Sequence, residues 1–194
     1  MKNNFLSLLI IFWKLSISIP RKYQNKLSYL VSLIFNIFLK KRSAISKKNI
    51  EVCFKDLEEH KKQQLIKENI AQSGSVMFDT GVAWFWSNSR INKEIDYCIN
   101  GLAELKKEQE SGYGVLLFFK HSLHLELDAR LLGMSIDVYG VERNHNSDFF
   151  DVIQKDGRLK GVKGLCNKNN PFKFIKWLKS GKTVLYATDQ DYGL

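Results

Sequence analysis

The sequence predicts an α/β protein: a mainly parallel, mixed sheet flanked by helices, preceded by a helical N-terminal section. Three observations carry that expectation. Val115–Phe119 is five apolar residues in a row between Gly114 and Lys120, the pattern of a strand buried on both faces. Downstream of it, strand-like and helix-like stretches alternate, as βαβ units do. Upstream, apolar residues recur at helical spacing from 57 to 78 (Leu65, Ile66, Ile70, Val76, Met77) with no proline between them.

The N-terminal section comes first. Residues 5–19 are almost wholly apolar, broken by Lys14 and a few serines, and Pro20, Arg21 and Lys22 follow. As a helix this stretch reaches about 22 Å, short of the roughly 30 Å hydrocarbon core of a bilayer. A second apolar stretch, 27–39, ends in Lys40, Lys41 and Arg42. Basic clusters after both stretches favour the cytoplasmic face of a membrane. Residues 5–19 are expected to be a marginal anchor, spanning or deeply interfacial, and 27–39 an interfacial helix or the first core helix. The alternative is that both are buried helices of a soluble domain. A signal peptide fits less well, because the n-region is thin and no small-residue cleavage site follows. The expected organisation is a membrane-anchoring section at 1–43 and a folded domain at 44–194.

Residues 44–86 read as helical. Residues 95–99 read as a short strand, and 101–110 as a polar helix closed by Ser111-Gly112. After the strand Val115–Phe119, residues 122–132 form a helix ending at Gly133, and 136–141 a strand. Helices at 146–155 and 172–179 precede a strand at Thr183–Ala187, entered through the Ser180-Gly181 turn. In a parallel sheet, functional residues gather at the carboxyl ends of strands. The two best strands end at Lys120-His121 and Thr188-Asp189.

Charge is unevenly spread. Residues 1–60 carry eleven basic and four acidic residues, and 155–182 carry nine basic and one acidic, with a mildly acidic middle. Such zones suit phosphates, anionic lipid surfaces or an acidic protein partner, against the plain alternative of solvated lysine faces. Cys53, Cys98 and Cys166 are odd in number and far apart, with no CxxC, so no disulfide framework is implied. Ser180-Gly181-Lys182-Thr183 resembles the end of a phosphate-binding loop, but Lys176 stands where that loop needs its first glycine. Gly112-Tyr113-Gly114 precedes a strand instead of following one, which makes it a turn. His121 and His124 lack HExxH spacing and a nearby cysteine, so no metal and no cofactor are expected. Nucleic acid is not an expected partner: the Lys-rich segments lack interleaved aromatics beyond Phe172, Phe174 and Trp177, which fit a helix core.

The segment with most chemistry is Phe119-Lys120-His121-Ser122-Leu123-His124-Leu125-Glu126-Leu127. An imidazole just past a strand, at a helix entrance, can take a proton near neutral pH. A carboxylate can fix its tautomer and steady the imidazolium. His121 and Glu126 are five residues apart, about 140° of rotation in a regular helix. They meet only if His121 sits in the entry turn and Glu126 in the helix proper. The alternative is ordinary helix-surface pairing of His124 with Asp128 and of Glu126 with Arg130. No serine elbow or cysteine nucleophile accompanies them, so direct attack by an acceptor hydroxyl is simpler than an acyl-enzyme.

These residues, with four other blocks in the same order, resemble the lipid A biosynthesis acyltransferases. His121 and Glu126 reproduce the family's H-x(4)-E motif. Asn49-Ile50-Glu51-Val52-Cys53-Phe54 is similar to its N-x-x-x-C-F stretch. Phe78-Asp79-Thr80-Gly81-Val82-Ala83-Trp84-Phe85-Trp86 is similar to its F-E-T-G-x-A-W-F-W, and looks most like the lauroyl/palmitoleoyl-type members. Gly157-Arg158-Leu159 and Tyr186-Ala187-Thr188-Asp189-Gln190-Asp191-Tyr192-Gly193 resemble two further blocks.

The resemblance implies a glycerolipid-acyltransferase-like fold at the cytoplasmic face of the cell inner membrane, among inner membrane lipids. It implies an acyl-[acyl carrier protein] donor and, as acceptor, a Kdo-bearing lipid A precursor. In that reading His121 is the general base toward the hydroxyl of an acyl chain already on the acceptor, and Glu126 orients it. Arg158 binds anionic groups or polarises the thioester carbonyl, and Asp189 positions substrate or the catalytic pair. Val141-Glu142-Arg143-Asn144-His145-Asn146-Ser147 stands where the family has Y-R-P-N-D-N-P. It keeps Arg143 and Asn144, expected in substrate binding, and loses both prolines. The family's R-K-D run is replaced near Cys166-Asn167-Lys168-Asn169. Family chains are longer, so the resemblance also implies a domain incomplete at its C-terminus. An inactive, truncated relative that binds membrane or lipid is the alternative reading.

Overall fold

The computed structural model describes residues 2–38 and 40–189. Leu39, at the end of the second apolar stretch, and the part of the last family block from Gln190 onward lie outside the described residues. Helices come first: α1 (Lys2–Ser16), α2 (Arg21–Phe38), α3 (Lys40–Cys53), α4 (Glu59–Gln72), α5 (Ser75–Phe85), α6 (Asn88–Glu94) and α7 (Leu102–Glu110). Strands and helices then alternate: β1 (Val115–Phe119), α8 (Leu125–Gly133), β2 (Val138–Glu142), α9 (Asp148–Arg158), β3 (Gly164–Asn167), α10 (Pro171–Lys179) and β4 (Thr183–Ala187).

The first apolar stretch stops short of a span because its end is tied into the protein. Ile17 is 2% exposed, and its carbonyl accepts hydrogen bonds from Gln24 Nε2 at 3.0 Å and Trp86 Nε1 at 2.9 Å. Trp13 Nε1 donates to the Met77 carbonyl at 2.8 Å, fastening α1 to α5. The chain turns at Pro20 and restarts as α2. Among the described residues no helix is long and apolar enough to cross a membrane, so the expectation of a transmembrane helix is corrected. What remains is an open apolar surface: Phe5, Leu8, Phe12 and Leu15 on α1, and Leu30, Ile34, Ile37 and Phe38 on α2, are all exposed. α3 runs through residues 43–44, where the junction of the two sections was expected.

The sheet order is β1-β4-β2-β3, and every described pairing is parallel. One face is covered by α7 and α8, where Leu132, Ile136, Val138 and Leu185 are buried with Leu102, Leu105, Leu117 and Phe119 packed against them. On the other face α10 lays Trp177 against Tyr139 at 4.9 Å between ring centroids and Phe174 against Tyr186 at 5.8 Å. A second core, with Ile17, Phe78, Val82, Trp84, Leu127 and Leu131 buried, joins α1, α5, α8 and α9.

Four expectations change. Among the described residues β1 is at the sheet's edge, and it is not buried on both faces, since Phe118 is 71% exposed. Residues 95–99 are not a strand; Ile95, Tyr97 and Ile99 pack against the two cores without pairing, so alternation there records burial and not a ladder. β3 was not legible, because Gly-Leu-Cys-Asn is short and poor in strand formers. The helix expected from 122 begins at Leu125, which leaves 121–124 as a turn.

Candidate active site

The parallel register of β1 and β4 builds the first half of the site. Phe119 stands opposite Ala187, so His121 and Asp189 lie the same two steps past the ends of adjacent strands. The His121 amide donates to Asp189 Oδ2 at 2.8 Å, and His121 Nδ1 lies 2.6 Å from Asp189 Oδ1. Both carboxylate oxygens thus grip one residue. An ionised carboxylate can only accept, so Nδ1 carries the proton, and in the neutral ring Nε2 keeps its lone pair. The hydrogen bond from the His121 ring, then the one from its amide, hold the Asp189 carboxyl below its ordinary pKa.

The second half of the site is a half-buried cation between two carboxylates. Glu126, in the first turn of α8, accepts from Arg158 Nε at 3.0 Å through Oε1 and from Trp84 Nε1 at 2.8 Å through Oε2. Arg158, the last residue of α9, also donates from Nη1 to Glu142 Oε2 at 2.9 Å. Burial works against the Arg158 charge, but the hydrogen bonds and charges of Glu126 and Glu142 outweigh it and raise the guanidinium pKa. Glu126 therefore does not touch the His121 ring among the described residues; the carboxylate on that ring is Asp189. The reason is topological. β4 inserts beside β1 and delivers Asp189, while the end of α9 occupies Glu126.

His121 and the Glu126–Arg158 pair line one cavity of about 540 Å³. Its walls include apolar Phe119, Leu125, Val162, Leu165 and Leu185, so a polar rim leads onto apolar lining. Arg143 lines it too. Asn144 does not; it borders an adjoining pocket of about 250 Å³ and accepts from Asn167 Nδ2 at 2.8 Å. Among the described residues no cluster of three or more His, Cys, Asp or Glu is placed to hold a metal ion.

Residues outside the expected set complete the site. Trp84 and Glu142 fix the Glu126–Arg158 pair. Asp79, fully buried, pairs with Arg21 of α2 and with His124 Nδ1, and so ties α2, α5 and the turn before α8 together. The alternative surface pairing of His124 with Asp128 is therefore not seen among the described residues. The available signal was Asp79 itself, a lone acid inside the apolar block 76–86. The alternative Glu126–Arg130 pair does not form either, since Arg130 Nη2 turns to Asn88 Oδ1.

Gly157 lets α9 approach this arrangement. A Cβ there would lie 2.3 Å from Trp84 Cγ, a contact that must be relieved by moving Trp84 off Glu126 or α9 off α5. Gly157→Ala is expected to destabilise the fold by about 1–3 kcal/mol, read as a lower urea midpoint with unchanged m. An unchanged midpoint would show that the two helices are not in firm contact.

Comparison with known proteins bears on what this geometry serves. The sequence model of the family described as bacterial lipid A biosynthesis acyltransferase matches residues 2–194. The lipid A biosynthesis palmitoleoyltransferase of Escherichia coli (strain K12) is 36% identical over 156 residues, 80% of this chain and 50% of that protein. The lipid A biosynthesis lauroyltransferase of the same organism is 35% identical over 156 residues, again 80% and 50%. A lipid A biosynthesis acyltransferase of Haemophilus influenzae is 37% identical over 153 residues, 79% of this chain and 48% of that protein. The chain spans about half the length of these curated relatives. The family match covers every described residue, including both halves of the cavity rim, and this chain belongs to the bacterial lipid A biosynthesis acyltransferase family.

Proposed function

We propose that this chain transfers a fatty acyl group from acyl-[acyl carrier protein] to a hydroxyacyl chain of a Kdo-bearing lipid A precursor, at the cytoplasmic face of the inner membrane. The observation that carries the reading is His121, held through Nδ1 by Asp189 at the rim of a cavity that also contains the Glu126–Arg158 pair.

In the proposed reaction His121 Nε2 takes the proton of the acceptor hydroxyl. The freed oxygen attacks the thioester carbonyl, the C–S bond breaks, and the imidazolium returns the proton to the departing thiolate. Asp189 keeps the tautomer correct and steadies the imidazolium. Arg158 supplies fixed positive charge beside the developing oxyanion. Glu126 acts through Arg158, by holding it, in place of the role on His121 that the motif first suggested. Arg143 and Asn144, at the junction of the two pockets, contribute to substrate binding.

The open apolar faces of α1 and α2, followed by Lys40 and Lys41, support an interfacial seat on a membrane whose lipids include the acceptor. The basic stretch 155–182 suits an acidic carrier protein. The test is to incubate the purified full chain with acyl-[acyl carrier protein] and the precursor. Mass spectrometry should show the acceptor heavier by one acyl chain and the carrier deacylated. A folded chain that binds the precursor without transferring would overturn the catalytic reading and leave a lipid-binding protein.

A further inference from the structure

Arg130 lines the cavity but has no part in the chemistry just described. It is 5% exposed, and two of its nitrogens, Nε and Nη1, are buried with no hydrogen-bond partner among the described residues. Among the described residues its one side-chain partner is the neutral amide of Asn88, bonded through Nη2. Buried arginines are ordinarily matched by a carboxylate, and even half-buried Arg158 in the same cavity has two. Arg130 has none among the described residues.

The surroundings add positive charge. Lys160 follows α9, one residue before Gly161, whose Cα would place a Cβ 2.9 Å from the Arg130 Cα. The Lys160 ammonium is pushed below its ordinary pKa by burial, then by the charges of Arg130 and Lys14, with Asp156 opposing. Lys14 lies 5.0 Å over the Phe85 ring, on the helix whose other faces expose Phe12 and Leu15. Arg130 in the cavity wall and exposed Lys14 on α1 thus both act on exposed Lys160 in the turn after α9. Unmatched donors beside an apolar face suit an oxyanion that arrives on a lipid.

We propose that Arg130, assisted by Lys160 and Lys14, binds a phosphate group carried by an amphiphile whose acyl chains rest on α1. The proposal rests on the acceptor reading above only for which amphiphile that is; the site itself is tested without acyl transfer. The probe is dihexanoyl phosphatidic acid, titrated into the purified full chain and followed by the fluorescence of Trp84, which lines the cavity. Dihexanoyl glycerol serves as the uncharged counterpart and inorganic phosphate as the free anion.

Phosphatidic acid is expected to bind at least about tenfold more tightly than the glycerol, and the preference to weaken with salt. Arg130→Met should abolish the preference, Arg130→Lys should keep part of it, and Lys160→Ala should reduce it a few-fold. Because Arg130→Met fills a buried site differently, Arg130→Lys and Lys160→Ala keep the test alive if it misfolds. No preference in the wild type, or an unchanged preference in folded Arg130→Met, overturns the proposal. Inorganic phosphate binding as tightly as phosphatidic acid overturns the amphiphile and assigns a free-anion site. Lost acyl transfer with the preference intact would instead count against the catalytic reading alone.

Discussion

Replacing His121 by alanine is expected to lower the rate of acyl transfer by about two to four orders of magnitude, with the fold intact. The ring is partly exposed at the cavity rim and, among the described residues, its one side-chain partner is the exposed Asp189, so little packing is lost. The sharper experiment is Asp189→Asn. An amide can turn its NH₂ toward Nδ1, which then becomes an acceptor and moves the ring proton to Nε2. The base is lost although every heavy atom stays in place, and a fall on the order of a hundredfold or more follows.

The pH dependence separates the two carboxylates. The folded-state pKa of Asp189 is depressed. Its grip on His121 is therefore present above the ordinary aspartate range and lost only as pH falls through the lowered value. Glu126→Gln should lower the rate without the tautomer defect, since it acts on Arg158. Wild-type rates in Asp189→Asn, or matched pH profiles for Asp189→Asn and Glu126→Gln, would show that the strand-end pair is not the working dyad.

Arg158→Ala is expected to cost about 3–5 kcal/mol of stability, a fall in Tm of roughly 6–20 °C for a chain of this size. The side chains of Glu126 and Glu142 are 17% and 4% exposed, so the substitution leaves two nearly buried carboxylates facing each other without a cation. Arg158→Lys should recover only part, because an ammonium cannot reproduce the fork that meets both. The triple replacement Arg158→Met, Glu126→Gln and Glu142→Gln should recover more than Arg158→Ala, since no buried charge is stranded. A thermal or urea midpoint for Arg158→Ala close to wild type would mean that water reaches all three groups freely.

The sequence alone determined which segments become helices and strands wherever pattern and punctuation agree. Val115–Phe119 and Thr183–Ala187 were read with their observed limits, because Gly114 and Lys120 bracket the first and the Gly181-Lys182 turn opens the second. It also pointed to the ends of those strands as the place for chemistry, and to His121, Arg158 and Asp189. What it could not supply was adjacency. Nothing local says that the fourth strand enters beside the first, yet that insertion alone brings Asp189 to His121 and leaves Glu126 to Arg158. Pairing order depends on which faces the intervening helices must bury, a property of the whole chain. The same holds for the first helix. Composition made it apolar enough to suggest a span, and only the contacts of Trp13 and Ile17 with α5 and Trp86 decided that it turns back onto the protein.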